Sequence, residues 1–261
     1  MRVIFIGDVM GEAGMRAIST YLPALKNKFH PQVTIVNGEN AAQGRGIRTK
    51  QFKEILKAGA DVITLGNHAW DKSEVNTLLQ QNDNLLRPAN YPGANTPGKG
   101  LVIKQINDQK LAVLNLQGRA LMNPIDDPFT KADELLAQIP YDTKVFVDFH
   151  AETTSEKGAL AHYLDGRVDA VIGTHTHVQT NDARILPQGT AFLSDVGMTG
   201  SYDGILGVKV ANSIQRFLTQ QPAHYEIDDQ GRLQINYCIL DFAKTNHIQI
   251  GQINPDQPLD I

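Results

Sequence analysis

The sequence predicts an α/β fold with a largely parallel core, on three observations. Short, continuous, β-branched runs recur along the first half, as expected of strands buried on both faces. Segments with helix-like apolar spacing separate them. Several of the runs end in glycine, carboxylate, amide or imidazole.

Val3–Ile6, Val33–Val36 and Val62–Leu65 are the first three expected strands. Met15–Leu25 and Phe52–Ala58 lie between them as helices, which implies right-handed parallel crossovers. A third helix follows around Val75–Leu79, and Arg87–Gly100, rich in Pro, Asn and Gly, reads as a loop. Leu101–Ile106 and Leu111–Leu116 flank Asn107-Asp108 as a hairpin. The second half adds strands at Val145–Phe149, Ala170–Ile172, Ala191–Leu193 and Leu233–Leu240. A helix from about Ile205 to Leu218 puts Val208, Ile214, Phe217 and Leu218 on or near one face. Asp228-Asp229-Gln230-Gly231 turns one late strand into the next. Neither a repeat nor a shift of composition divides residues 1–261, so a single domain is expected.

Composition narrows the function. With 261 residues, 41% hydrophobic and 20% charged, the chain can bury a sizeable core and is not disordered. Cys238 is the lone cysteine, which excludes a disulfide framework and fits a reducing, cytoplasmic setting. Val3–Ile6 running into Gly7-Asp8 makes neither a signal peptide nor a membrane span. A net charge of −4 lacks the basic footprint of a protein gripping long nucleic acid. A small molecule or short oligonucleotide remains as ligand, with homo-oligomerisation left open.

The polar strand ends carry the chemistry. Ligands of open α/β sheets bind beyond the carboxyl ends of strands, and five strands deliver Asp8, Glu39, Asn40, Asn67, His68, His150, His175 and His177 to that edge. Carboxylate, amide and imidazole without thiolate suit Mn, Fe or Zn. So many ligands exceed what one tetrahedral ion takes, which favours a dinuclear site. Two ions clamp the attacking and leaving oxygens of a displacement at phosphorus, and two carboxylates leave such a pocket positive toward an anionic phosphate.

These blocks resemble calcineurin-like metallophosphoesterases, and more closely the YmdB-like family of bacterial phosphodiesterases. Asp8, Gly38-Glu39-Asn40, Gly66-Asn67-His68, His150 and His175-Thr176-His177 stand in the order that superfamily uses. Asp148–Glu152, Gly173–Thr180 and Ser194–Gly200 resemble the YmdB-like blocks, and the similarity spans nearly the whole chain. Two departures from the wider superfamily, Met10 in place of a histidine and Glu39 in place of a bridging aspartate, also resemble that subgroup.

The resemblance implies a four-layer sandwich of two mixed β-sheets flanked by helices. It implies one ion held by Asp8, Glu39, Asn40 and His177, and a second by Glu39, Asn67, His150 and His175, with His68 as proton donor. It also implies a two-metal phosphodiesterase, using Fe or Mn with Zn as a third candidate. A bridging hydroxide would attack the phosphorus of a small cyclic nucleotide, 2′,3′-cyclic before 3′,5′-cyclic. A phosphomonoesterase or protein phosphatase with the same site, or a non-enzymatic nucleotide sensor, stands as alternative.

Blander readings compete at single residues. Asp8 after a strand is also what a helix cap looks like, Glu39-Asn40 is also a solvated turn, and His68 is also a structural histidine. His175 and His177, two apart on an extended segment, point the same way. His162, His224 and His247 lie outside every block and read as ordinary residues. Tyr202, Arg119 and Asp126-Asp127 are candidates for lining a substrate pocket. Gly93–Gly100 resembles a phosphate-binding loop but lacks its final Ser or Thr, carries Pro97, and precedes a strand. Cys238, inside a strand pattern, reads as buried and inert.

Overall fold

Val3 and Phe5 face one way, Ile4 and Ile6 the other, and all four side chains are buried. Their strand, β1 (Arg2–Ile6), therefore lies in a sheet covered on both sides, as its unbroken apolar run requires. The computed structural model describes residues 1–258 apart from 94, 223–224 and 244. After β1 come β2 (Asp8–Val9), α1 (Gly11–Phe29), β3 (Val33–Asn37), α2 (Thr49–Lys57), β4 (Val62–Thr64), α3 (Val75–Gln81) and β5 (Leu85–Leu86). β1, β3, β4 and β5 pair in parallel, joined by the expected helical crossovers. The chain continues through β6 (Leu101–Ile106), β7 (Gln109–Gln117), α4 (Pro128–Leu136), β8 (Thr143–His150), α5 (Thr154–Tyr163) and β9 (Ala170–Thr174). It ends with β10 (Arg184–Ile185), β11 (Ala191–Leu193), β12 (Met198–Ser201), α6 (Val210–Thr219), β13 (Leu233–Asp241) and β14 (His247–Ile253).

Two mixed sheets result. One has the order β2-β12-β13-β1-β3-β4-β5 with β14 on β13, the other β10-β11-β9-β8-β7-β6. β13 is antiparallel to β1, and β6 to β7, whereas β7, β8, β9 and β11 are parallel. Side-chain alternation stacks these sheets into four layers. Val3, Phe5, Val33 and Ile35 meet Val113, Phe146 and Ile172 between the sheets, where the Phe5 and Phe146 rings stand edge to face at 5.0 Å. Ile4, Ile6 and Ile63 pack outward against Ile18 and Leu22 of α1 and Ile55 of α2. Val147, Phe149 and Val171 pack outward against Ala132 of α4 and Leu160 of α5. The four-layer α/β sandwich is thus the observed architecture. Among the described residues no helix is long and apolar enough to cross a membrane.

Two expectations change. The late helix begins at Val210, not Ile205, because Ile205 and Val208 bond to each other across a tight turn with Leu206 at φ 52° and Gly207 at φ 83°. Its apolar stripe faces solvent: Phe217 is 74% and Leu218 80% exposed. The Asp228–Gly231 turn leads into β13, but the segment before it is a single bridging residue, Ile227 paired with Val208, rather than a strand. The loop that the sequence sets apart from a phosphate-binding loop wraps a cation. Carbonyls of Thr96, Pro97 and Gly98 accept hydrogen bonds from the buried Arg87 guanidinium; Ala94 lies outside the described residues.

Asp8 is not a helix cap. The N-cap of α1 is Met10, which makes no side-chain cap bond. Asp229 supplies the missing acceptor, its Oδ1 taking the N–H groups of Glu12 at 2.8 Å and Ala13 at 3.2 Å.

Candidate metal centre

β3, β4, β8 and β9 end together, and their last residues converge. His150 closes β8, wholly buried. Around its Nε2 stand Asn67 Oδ1 at 3.0 Å, His175 Nδ1 at 3.0 Å and Glu39 Oε2 in contact. Gly66, just after β4, has to be glycine: a Cβ there would lie 1.9 Å from Glu39 Oε2 and 2.4 Å from His150 Nε2. Asp8, Glu39 and His150 form a fully buried group whose ligand atoms lie within 4.8 Å of one another. Asp8 Oδ2 accepts from the His175 N–H at 3.2 Å, while Asp8 Oδ1 has no hydrogen-bond partner.

The neighbouring hydrogen bonds fix which nitrogens are bare. Asp148, buried beneath the site, accepts from Asn37 Nδ2, Thr64 Oγ1 and Thr174 Oγ1. With its proton given to Asp148, Thr174 Oγ1 accepts from His150 Nδ1 at 2.9 Å, which leaves Nε2 a lone pair aimed at the cluster. His175 Nε2 lies 2.9 Å from Glu152, so donating there bares its Nδ1. Two bare imidazole nitrogens, an amide oxygen and two carboxylates crowded together repel unless a cation joins them. Where no ion takes the place, the same cluster draws a proton onto His150 instead: burial alone would lower its pKa, yet Glu39, Asp8 and Asp148 raise it to about 9. Burial works upward on Glu39 too, but the His150 charge and hydrogen bond hold it at about 2. The centre demands positive charge, and a divalent ion supplies it without a proton. The residues present fit a metal.

Asn40 and His177 form the second grouping, with the Asn40 side-chain amide 3.1 Å from His177 Nε2. Here the expected geometry is corrected. His175 and His177 do not extend a strand: β9 ends at Thr174, and the two histidines take φ 99° and 67°. A turn, not strand alternation, aims them. Asp195 braces that turn, its Oδ2 accepting from the Thr176 N–H at 3.0 Å and the Thr176 hydroxyl at 2.7 Å. The same oxygen accepts from Lys157 Nζ at 2.7 Å, inside the protein with both side chains 1% exposed.

His68 lies at the rim, its backbone N–H held by Glu39 Oε1 at 2.7 Å and its Nδ1 3.0 Å from Asp71. It lines a cavity of about 750 Å³ with Asn40, His175 and His177. Tyr202, Arg119 and Asp126-Asp127 do not line it. Tyr202 donates to Asp256, Arg119 to Asp127, and Asp127 caps α4. His162 and His247 are exposed, and His224 lies outside the described residues. Cys238 is buried in β13, where burial raises its thiol pKa. Sequence reasoning assigned no role to Thr174, Glu152, Asp71, Lys157 or Asp195. Two signals were available, Thr174 beside the His-Thr-His block and Glu152 two residues after His150.

The model of the YmdB-like protein family matches residues 4–253. The chain belongs to that family. A 2′,3′-cyclic-nucleotide 2′-phosphodiesterase of Bacillus subtilis is 51% identical over 242 residues, covering 92% of this chain and 91% of that one. A hypothetical protein of Thermus thermophilus matches at TM-score 0.92 and 44% identity, covering 97% and 99% of the two chains. A phosphatase of Mycoplasma pneumoniae matches at TM-score 0.92 and 33% identity over 97% and 93%. Haemophilus influenzae NAD nucleotidase, at 13% identity and TM-score 0.58, covers 97% of this chain with 55% of its own and shares the fold alone.

Proposed function

We propose that this chain is a two-metal phosphodiesterase of small cyclic nucleotides, 2′,3′-cyclic before 3′,5′-cyclic. One observation carries the reading: Glu39, Asn67 and His175 converge on the bare Nε2 of His150. Glu39, Asn67, His150 and His175 would hold one ion, and Asp8, Glu39, Asn40 and His177 the other, with Glu39 shared. The oxygen and nitrogen donor set suits Fe or Mn, then Zn. Ions bound there would polarise the phosphoryl oxygens and bring the pKa of a water toward neutrality.

The chain's own groups do the rest. His68 lines the cavity rim outside both ligand sets, a place from which an imidazole can hand a proton to a leaving oxygen. Asp71, 3.0 Å from its Nδ1, holds the ring in place. The 51%-identical B. subtilis relative, named for 2′,3′-cyclic nucleotides, supports that substrate class.

Hydrolysis of bis-para-nitrophenyl phosphate against the monoester tests the reading, with metal content measured on protein purified without chelator. Diester turnover with bound metal is expected, and Glu39→Gln should lose both while circular dichroism stays unchanged. Unchanged diesterase activity in Glu39→Gln would falsify the site assignment. The rival reading, a phosphomonoesterase with the same ions, draws on the M. pneumoniae phosphatase of like structure; turnover of the monoester alone would establish it.

A further inference from the structure

We propose that the apolar part of the cavity lining is a nucleobase subsite, formed by Tyr225 and Arg216 over an apolar floor of Met10, Val208 and Ile227. The proposal rests on the reading of the centre as a nucleotide phosphodiesterase and names how that site holds the nucleoside.

The cavity has two chemistries in one volume. Its lining joins polar groups, among them His68, His175, His177 and Asn40, to apolar surface from Met10, Val208, Ile227 and Tyr225, and Met10 pairs with Asn40 so that the two surfaces meet. A phosphate is a small, strongly hydrated anion with no use for an apolar floor, and its volume is a minor part of about 750 Å³. A ligand with one anionic and one flat, weakly polar part fits both surfaces. Met10, Met198 and Val208 form a hydrophobic cluster separate from the three that build the layers, with Ile227 packed on it. Three of these four residues, Met10, Val208 and Ile227, line the cavity. Met10 offers the cavity a pliable apolar surface.

Tyr225 supplies the stacking surface. The residue is 44% exposed, and the Arg216 guanidinium sits over its ring, 4.8 Å from the centroid. A half-exposed tyrosine paired with a guanidinium is a platform on which any base can stack, because every base has a π-face. The subsite is tied to the metal ligands through one turn. Leu206 accepts a hydrogen bond from His177 Nδ1 at 3.2 Å, and Val208, two residues on, pairs with Ile227 of the floor.

Isothermal titration calorimetry of the metal-loaded protein tests the proposal, with adenosine 3′-phosphate and inorganic phosphate as separate probes. Wild type should bind the nucleotide at least about tenfold more tightly than phosphate. Tyr225→Ala should lose about fivefold or more of nucleotide affinity, the lower end of what one base–aromatic stack contributes, and keep its phosphate affinity. Tyr225→Phe should bind as wild type does, since stacking needs the ring and not the hydroxyl. The proposal is overturned if wild type does not prefer the nucleotide, if Tyr225→Ala keeps its nucleotide affinity, or if it loses both probes equally. Binding is read without turnover, so absent diester hydrolysis counts against the phosphodiesterase reading while these affinities still decide the subsite.

Discussion

Lys157 is a lysine on a helix, and most such side chains reach water; this one is entirely buried. Its partner Asp195 is buried with it, and through Thr176 that carboxylate fixes the turn that presents His175 and His177. Lys157→Met removes the cation and strands a buried carboxylate, a change that costs about 3–5 kcal/mol. Urea denaturation should show that loss. Metal affinity should fall as well, because the brace on both histidines goes with the charge. Wild-type stability would mean that Asp195 needs no counter-charge. Gly66 makes a second test at this scale. Gly66→Ala drives a methyl into Glu39 and His150, so metal content should drop sharply with the circular dichroism spectrum preserved; a full complement of metal would show that the cluster can shift aside. The eight polar residues proposed for the centre stood out in the sequence because they end apolar runs. Lys157 was not: nothing local distinguishes it from a solvated helix charge.

The same contrast holds for whole elements. β1, β3, β4, β8 and β9 were legible because burial on both faces leaves an unbroken apolar run. β12, Met198-Thr199-Gly200-Ser201, has no such pattern and exists because β13 and β2 flank it. α4 and α5 were overlooked although local signals were present. Asp127-Pro128 is an N-cap followed by proline in the first turn, and Thr153 with Glu156 has the spacing of a capping box. The cap of α1 is a different case, since Asp229 lies 217 residues from Glu12 and no local rule reaches it. That cap also joins the turn before β13 to the helix behind β1, so Asp229→Ala should cost about 0.5–2 kcal/mol. A lower urea midpoint with an unchanged slope checks it; an unchanged midpoint would show that water satisfies the helix end equally well.

At the scale of the molecule, the centre is made by stacking the two sheets. Asp8, Glu39 and Asn67 belong to strands or strand ends of one sheet, His150 and His175 to those of the other. An ion bound by both halves is bound only by the folded state, because the unfolded chain separates residues 8 and 175. Metal binding is therefore linked to stability, and a ligand at a hundred times its dissociation constant adds about 2.7 kcal/mol. For a chain of this size each kcal/mol moves the melting temperature by about 2–4 °C. Chelator-stripped protein should thus melt several degrees lower than the same protein with excess Mn, measured by differential scanning calorimetry. Glu39→Gln should show little of that rise, since it weakens the ligand proposed to be shared by both ions. The comparison separates a metal centre from a merely charged cluster. Partnerless atoms such as Asp8 Oδ1 destabilise the fold until a cation answers them, so a melting temperature indifferent to Mn, Fe and Zn alike would leave the buried carboxylates paired by His150 alone.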